Sequence, residues 1–194
     1  ESQSIGSTIS NEMRSNAVKA LIVACIFMLF YIWFRFKDIR FAGSAIIALV
    51  HDVLVMLTGY ALIRISVGNT FIACILTIVG YSINDTIVIF DRIRENMQGM
   101  KKQTPETLAE VANRSLTQTL SRSLNTSITT IIMVLLLFIL GVSSIREFAL
   151  PLMIGLISGT YSSIFIAAAL WYVMKLHLGK DKLLKPAVAK TKKK

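Results

Sequence analysis

Two carboxylic acids stand where a membrane-spanning segment would ordinarily carry leucine. Asp52 lies in the run Val50-His51-Asp52-Val53 and Asp85 in Tyr81-Ser82-Ile83-Asn84-Asp85-Thr86, each inside a long apolar stretch. An acid at the centre of a bilayer costs about 2.5–3.5 kcal/mol on an insertion scale, so its default reading is a functional group on an ion or proton path. Burial disfavours the charged form, which lets such a group take a proton from one side and release it to the other. The alternative is a structural acid that only hydrogen-bonds its neighbours. Tyr81 and Ser82 precede Asp85 by four and three residues, which puts them on the same helix face. They are expected to bond its carboxyl or to hold a water to it, with Asn84 as a further polar neighbour. His51 stands beside Asp52 either as a partner in proton transfer or as a neutral ring bonded to a carbonyl. Arg122, in Thr119-Leu120-Ser121-Arg122-Ser123-Leu124-Asn125-Thr126-Ser127, is the candidate counter-charge. Its guanidinium keeps its proton and can grip a carboxylate with two hydrogen bonds; the competing reading is a side chain that snorkels to the head groups.

The elements that must hold these groups are long and apolar. Hydrophobic residues make up 54% of the 194 and charged residues 16%, against about 25% charge in a typical soluble domain. Apolar blocks of roughly 18 residues or more read as membrane helices, since about 20 residues of helix cross the hydrocarbon layer. The blocks predict an all-α membrane protein with five spans, at about 17–36, 41–63, 69–90, 124–144 and 148–174. Asp52 then sits roughly 15 Å from the edge of its span at 1.5 Å per residue, close to the midplane of a core about 30 Å thick.

Charge sets the orientation. Of the 21 Lys and Arg residues, seventeen fall on one side of the spans, at Arg35, Lys37 and Arg40, in the 91–123 segment and from Lys175 to the C-terminus, and four on the other. The positive-inside rule places the N-terminus in the periplasm and the C-terminus in the cytoplasm. The same clustering explains the net charge of +10 as attraction to anionic lipid head groups, and argues against direct nucleic-acid binding. The segment between the third and fourth spans has an apolar stripe at helical spacing (Leu108, Val111, Ala112, Ser115, Leu116, Thr119, Leu120). It predicts an amphipathic helix over about 104–123, signalled at its start by Thr104-Pro105, lying along the inner surface and running into the fourth span, either as an elbow between spans or as a docking surface for a partner; Thr107 and Glu110 stand at capping-box spacing. Residues 179–194 form a basic cytoplasmic tail. Gly155, Gly159 and Ser163 recur every four residues, as in close helix–helix packing, and Pro151 is read as a first-turn residue or a tolerated kink.

The run Gly80-Tyr81-Ser82-Ile83-Asn84-Asp85-Thr86-Ile87-Val88-Ile89-Phe90-Asp91-Arg92-Ile93-Arg94-Glu95-Asn96 resembles the signature of the SecD/SecF family of protein-export membrane subunits. Ser121–Ser127 and Val50–Val53 resemble two further family motifs. The resemblance implies a bundle of the resistance-nodulation-division type and a pseudo-twofold pairing with SecD. It implies association with the SecYEG channel and YidC, and use of the proton gradient to help a translocating polypeptide across the bacterial inner membrane. It carries the family's relay acid onto Asp85 and its arginine onto Arg122, with Asp52 as a second acid. It also implies a preceding span and periplasmic domain, so residues 1–16 are expected to be the outer end of that domain.

No phosphate-binding loop of the GxxxxGK[ST] type is present and no catalytic triad can be assembled. The expectation is a non-enzymatic subunit with no cofactor and protons as the coupling ion. Cys25 and Cys74 sit singly in apolar blocks, which suggests neither a metal site nor a disulfide. A small-molecule exporter of the same superfamily and a passive assembly scaffold are the competing classes.

Overall fold

The computed structural model describes residues 2–64, 69–98, 100 and 104–178. The basic tail 179–194 and residues 65–68 of the turn after the second span lie outside the described residues. The chain runs α1 (Ser2–Phe36), α2 (Ile39–Ile63), α3 (Asn69–Gln98), α4 (Pro105–Leu140), α5 (Ser143–Tyr161), a π-helical segment (Ser162–Ala167) and α6 (Ala168–Leu178). Among the described residues, five helices are long and apolar enough to cross a membrane, the fifth being the continuous run Ser143–Leu178. This is a multi-pass, all-α membrane protein.

Local chemistry marks the helix ends. Asp38 caps α2 by accepting the Arg40 N–H at 3.0 Å, after Lys37 turns the chain at φ 54°. Arg64 ends α2 in the left-handed region at φ 57°, its N–H going back to the Tyr60 carbonyl. Thr104 caps α4, and Thr107 returns the bond to the Thr104 N–H at 2.8 Å. The capping box is therefore Thr104 with Thr107, one turn earlier than the predicted Thr107 with Glu110. Pro105 takes the first helical position, where an N–H has no partner to lose, so the helix starts where Thr104-Pro105 signalled it.

α3 continues to Gln98, past the apolar block that ends near 90, and the 104–123 segment runs directly into the fourth span as the first half of a 36-residue α4. It runs antiparallel beside the extended α3: Tyr81 meets Ser127, Asp85 meets Ser123, Arg92 meets Gln118 and Asn96 meets Ser115. The apolar stripe read as facing a membrane surface packs instead within the bundle, with Leu108, Val111, Ala112 and Ser115 buried.

α5 sits in the middle, packed against α2, α3 and α4, while α1 lies on the outside against α2 and α3. Small residues let α5 approach. A methyl group on Gly155 would overlap the Ile78 side chain, and one on Gly159 would lie 3.1 Å from Ser82 Cβ. The four-residue spacing thus does what the sequence implied. Pro151 is buried inside α5, not in its first turn.

Basic residues gather at one end of the bundle, where Arg35 pairs with Asp91 at 2.8 Å and Lys175 with Asp38 at 3.4 Å. Arg40 also donates to the Leu178 carbonyl there. Just inside, Phe41 stacks on Trp171 at 5.2 Å and packs against Phe36 and Phe90. Arg64 at the end of α2 and Arg146 in the first turn of α5 lie at the opposite end, as alternating spans require.

Candidate functional site

The middle of the bundle holds a polar interior built from α2, α3, α4 and α5. Asp52 is fully buried, and both its carboxyl oxygens are occupied. Oδ1 accepts from Ser158 Oγ at 2.8 Å and lies 3.2 Å from His51 Nδ1. Oδ2 accepts from Ser82 Oγ and from Ser162 Oγ, each at 2.6 Å. Serines from α3, α5 and the π-helical segment thus converge on one acid from α2.

Asp85, 6% exposed, lies one turn beyond Ser82 on α3 and is held differently. Its Oδ2 is buried without a hydrogen-bond partner, and so is Ser123 Oγ on α4. Ser123 stands beside the carboxyl, near enough to interact but not closing a full bond. Toward the basic end a cavity of about 410 Å³ opens between α3 and α4, lined by Val88, Asp91, Arg92, Glu95, Gln118, Thr119 and Arg122. Arg92 is tied down there by Glu95 at 2.8 Å and Gln118 at 2.7 Å.

Several sequence expectations change partners. Ser82 bonds Asp52, not Asp85. Tyr81 donates to Ser127 Oγ at 3.0 Å, and Ser127 pairs with Thr160 Oγ1 at 2.7 Å, so Tyr81 joins α3, α4 and α5 away from the carboxyl. Arg122 forms no ion pair with Asp85. Ser123 takes the face toward α3, which turns Arg122, one residue earlier, by about 100° into the open cavity. Asn84 is exposed on the outer face of α3, away from both acids. His51 is half-buried and touches Asp52, as its position beside it implied.

Sequence reasoning passed over Ser158, Ser162, Ser123 and Thr86. The signal was present: Ser158 with Ser162 and Ser123 with Ser127 repeat at four residues inside apolar spans, the spacing of hydroxyls that bond across helices.

A family profile described as "Protein export membrane protein SecD/SecF, C-terminal" matches residues 1–177. The chain belongs to the SecD/SecF family. The protein translocase subunit SecF of Alicyclobacillus acidocaldarius is 48% identical over 168 residues, 87% of this chain and 54% of that protein. SecDF of Bacillus subtilis is 44% identical over 171 residues, 88% of this chain and 23% of that one. Among solved structures, the crystal structure of SecDF in the super-membrane-facing form matches with a TM-score of 0.78 at 44% identity, covering 88% of this chain and 23% of its own. SecDF from Thermus thermophilus, described as a translocon-associated membrane protein, matches with a TM-score of 0.77 at 45% identity, covering 84% and 22%. The chain thus spans about half the length of the SecF relative and under a quarter of the SecDF proteins.

Proposed function

We propose that this chain is the membrane sector of a protein-export subunit that, with SecD, uses the proton-motive force to promote polypeptide translocation across the bacterial inner membrane. Asp85 is the proton carrier and Arg122 its counter-charge, reached from the cytoplasm through the cavity between α3 and α4. The observation that carries this reading is the unpaired, buried Oδ2 of Asp85 beside that polar cavity. A buried polar oxygen without a partner is costly unless it exchanges partners in use. Protonating Asp85 cancels its attraction to Arg122, and the α3–α4 packing shifts between two arrangements that an attached domain can amplify. One elementary charge crossing 100 mV supplies about 2.3 kcal/mol, enough to bias such a pair of states. No reaction chemistry and no cofactor enters, since the coupling ion is the proton.

SecD is the expected neighbour because two matched relatives carry SecD and SecF in one named subunit, SecDF. Asn84 and Gly80 on the outward face of α3 suit a partner helix, Gly80 having open space before it. The SecYEG channel and YidC follow as partners from the family's role in export. The test is Asp85→Asn in the full-length subunit within its complex: proton-gradient stimulation of export disappears while the complex still co-purifies. Unchanged stimulation would remove Asp85 from the path.

A further inference from the structure

The π-helical segment begins at Ser162, the residue whose hydroxyl reaches Asp52. Ser163, next in the chain, turns the other way. It donates to the Ser82 carbonyl at 3.2 Å and pairs with Thr86 Oγ1 at 2.9 Å. Adjacent side chains on a regular α-helix diverge by about 100°, and a widened turn resets where two neighbours fall. Here it delivers one hydroxyl to α2 and the next to α3. Ser82 closes the figure, because its own hydroxyl shares Asp52 Oδ2 with Ser162. Asp52, Ser82, Ser162 and Ser163 are all fully buried.

The two α3 residues caught in this knot, Ser82 and Thr86, flank Asp85 at three residues before and one after. Asp85 itself faces α4, toward Ser123 and Arg122. α3 is therefore gripped on the side of α2 and α5 and presents its acid on the other. The link does not carry protons from one acid to the other: Ser163 reaches Ser82 through a backbone carbonyl, which has no proton to pass on.

We propose that Asp52 is a positioning residue for Asp85. Its carboxylate gathers Ser158, Ser162 and Ser82, sets the π segment against α3, and so fixes the turn that carries Asp85 over the cavity. This assigns Asp52 a mechanical part in place of the relay part expected from its depth in the membrane. The charged groups around Asp85 are Arg122 from α4 and, lower in the cavity, Asp91, Arg92 and Glu95 from α3. α5 and its continuation hold no acid and no basic residue between Glu147 and Lys175. On α2, His51 is the titratable group that touches Asp52.

The inference rests on Asp85 as the carrier, a reading that stands or falls separately with Asp85→Asn. Its own test uses the full-length subunit in its complex in energised membrane vesicles. Export stimulation is followed against pH for wild type, Asp52→Asn, Ser162→Ala and the double variant, with assembly checked by co-purification. Both single variants keep a gradient-dependent response, lowered about three- to tenfold, within the roughly 100-fold that a 1 Å misplacement can cost. Both displace the pH midpoint in the same direction, and the double variant is no weaker than Asp52→Asn alone. A merely structural loss would lower the amount of assembled complex and leave the midpoint in place. The proposal is overturned if Asp52→Asn abolishes the gradient response while Ser162→Ala keeps wild-type rate and midpoint, for Asp52 would then carry protons itself. It is equally overturned if both variants match wild type.

Discussion

Around Asp52, three serine hydroxyls and an imidazole converge and leave no carboxyl oxygen unpaired. Around Asp85, one turn further along α3, a buried oxygen has no partner, a serine stands beside it without closing a bond, and a polar cavity opens below. Both acids lie inside apolar helices and both are buried. The difference teaches that burial inside an apolar helix does not by itself fix how an acid is held. An acid whose every lone pair is filled by fixed donors is bound to its neighbours, and changing its state means rearranging four partners together. An acid with an unfilled site next to open space can change state at little structural cost.

The contrast can be broken most directly by stability. Asp52→Ala strands three serine hydroxyls, and with membrane hydrogen bonds averaging about 0.6 kcal/mol and further cost for buried donors left unsatisfied, the loss is about 2–3 kcal/mol. Asp85→Ala in the same detergent denaturation series costs under about 1 kcal/mol. Equal losses at the two positions would erase the distinction. The next largest effect is access. Val88→Cys, on the cavity wall, reacts with a water-soluble thiol reagent at least about tenfold faster than Ser162→Cys in the buried knot, whose reaction waits on local opening. These measurements use a background in which Cys25 and Cys74 are replaced. The smallest effect belongs to Tyr81→Phe, which removes one bond to Ser127 and costs about 0.6 kcal/mol. It leaves proton-gradient stimulation intact, whereas a large fall in stimulation would return Tyr81 to the neighbourhood of Asp85.

How much was legible beforehand follows the same division. The spans were readable because apolar length is a property of the chain alone, and α2 at Ile39–Ile63 falls on the block predicted at 41–63. The long α3–α4 hairpin was half visible: the stripe from Leu108 to Leu120 announced a helix, but an apolar face looks alike whether it meets lipid or another helix. The interruption of α5 gave no sign, since Ser162–Ala167 contains no proline, glycine or charge that would demand a widened turn.

What the sequence by itself determined is the set of five membrane helices and the presence of two acids inside them. These follow from transfer energies, which each residue carries with it. Only the tertiary structure decided which acid received which partners. Helical spacing put Ser82 on the face of Asp85, but the approach of α5 through Gly155 and Gly159 turned Ser82 toward Asp52 and left Asp85 to α4. A hydrogen bond depends on two groups meeting within about 3 Å, and such meetings between distant parts of the chain exist only once the helices have packed.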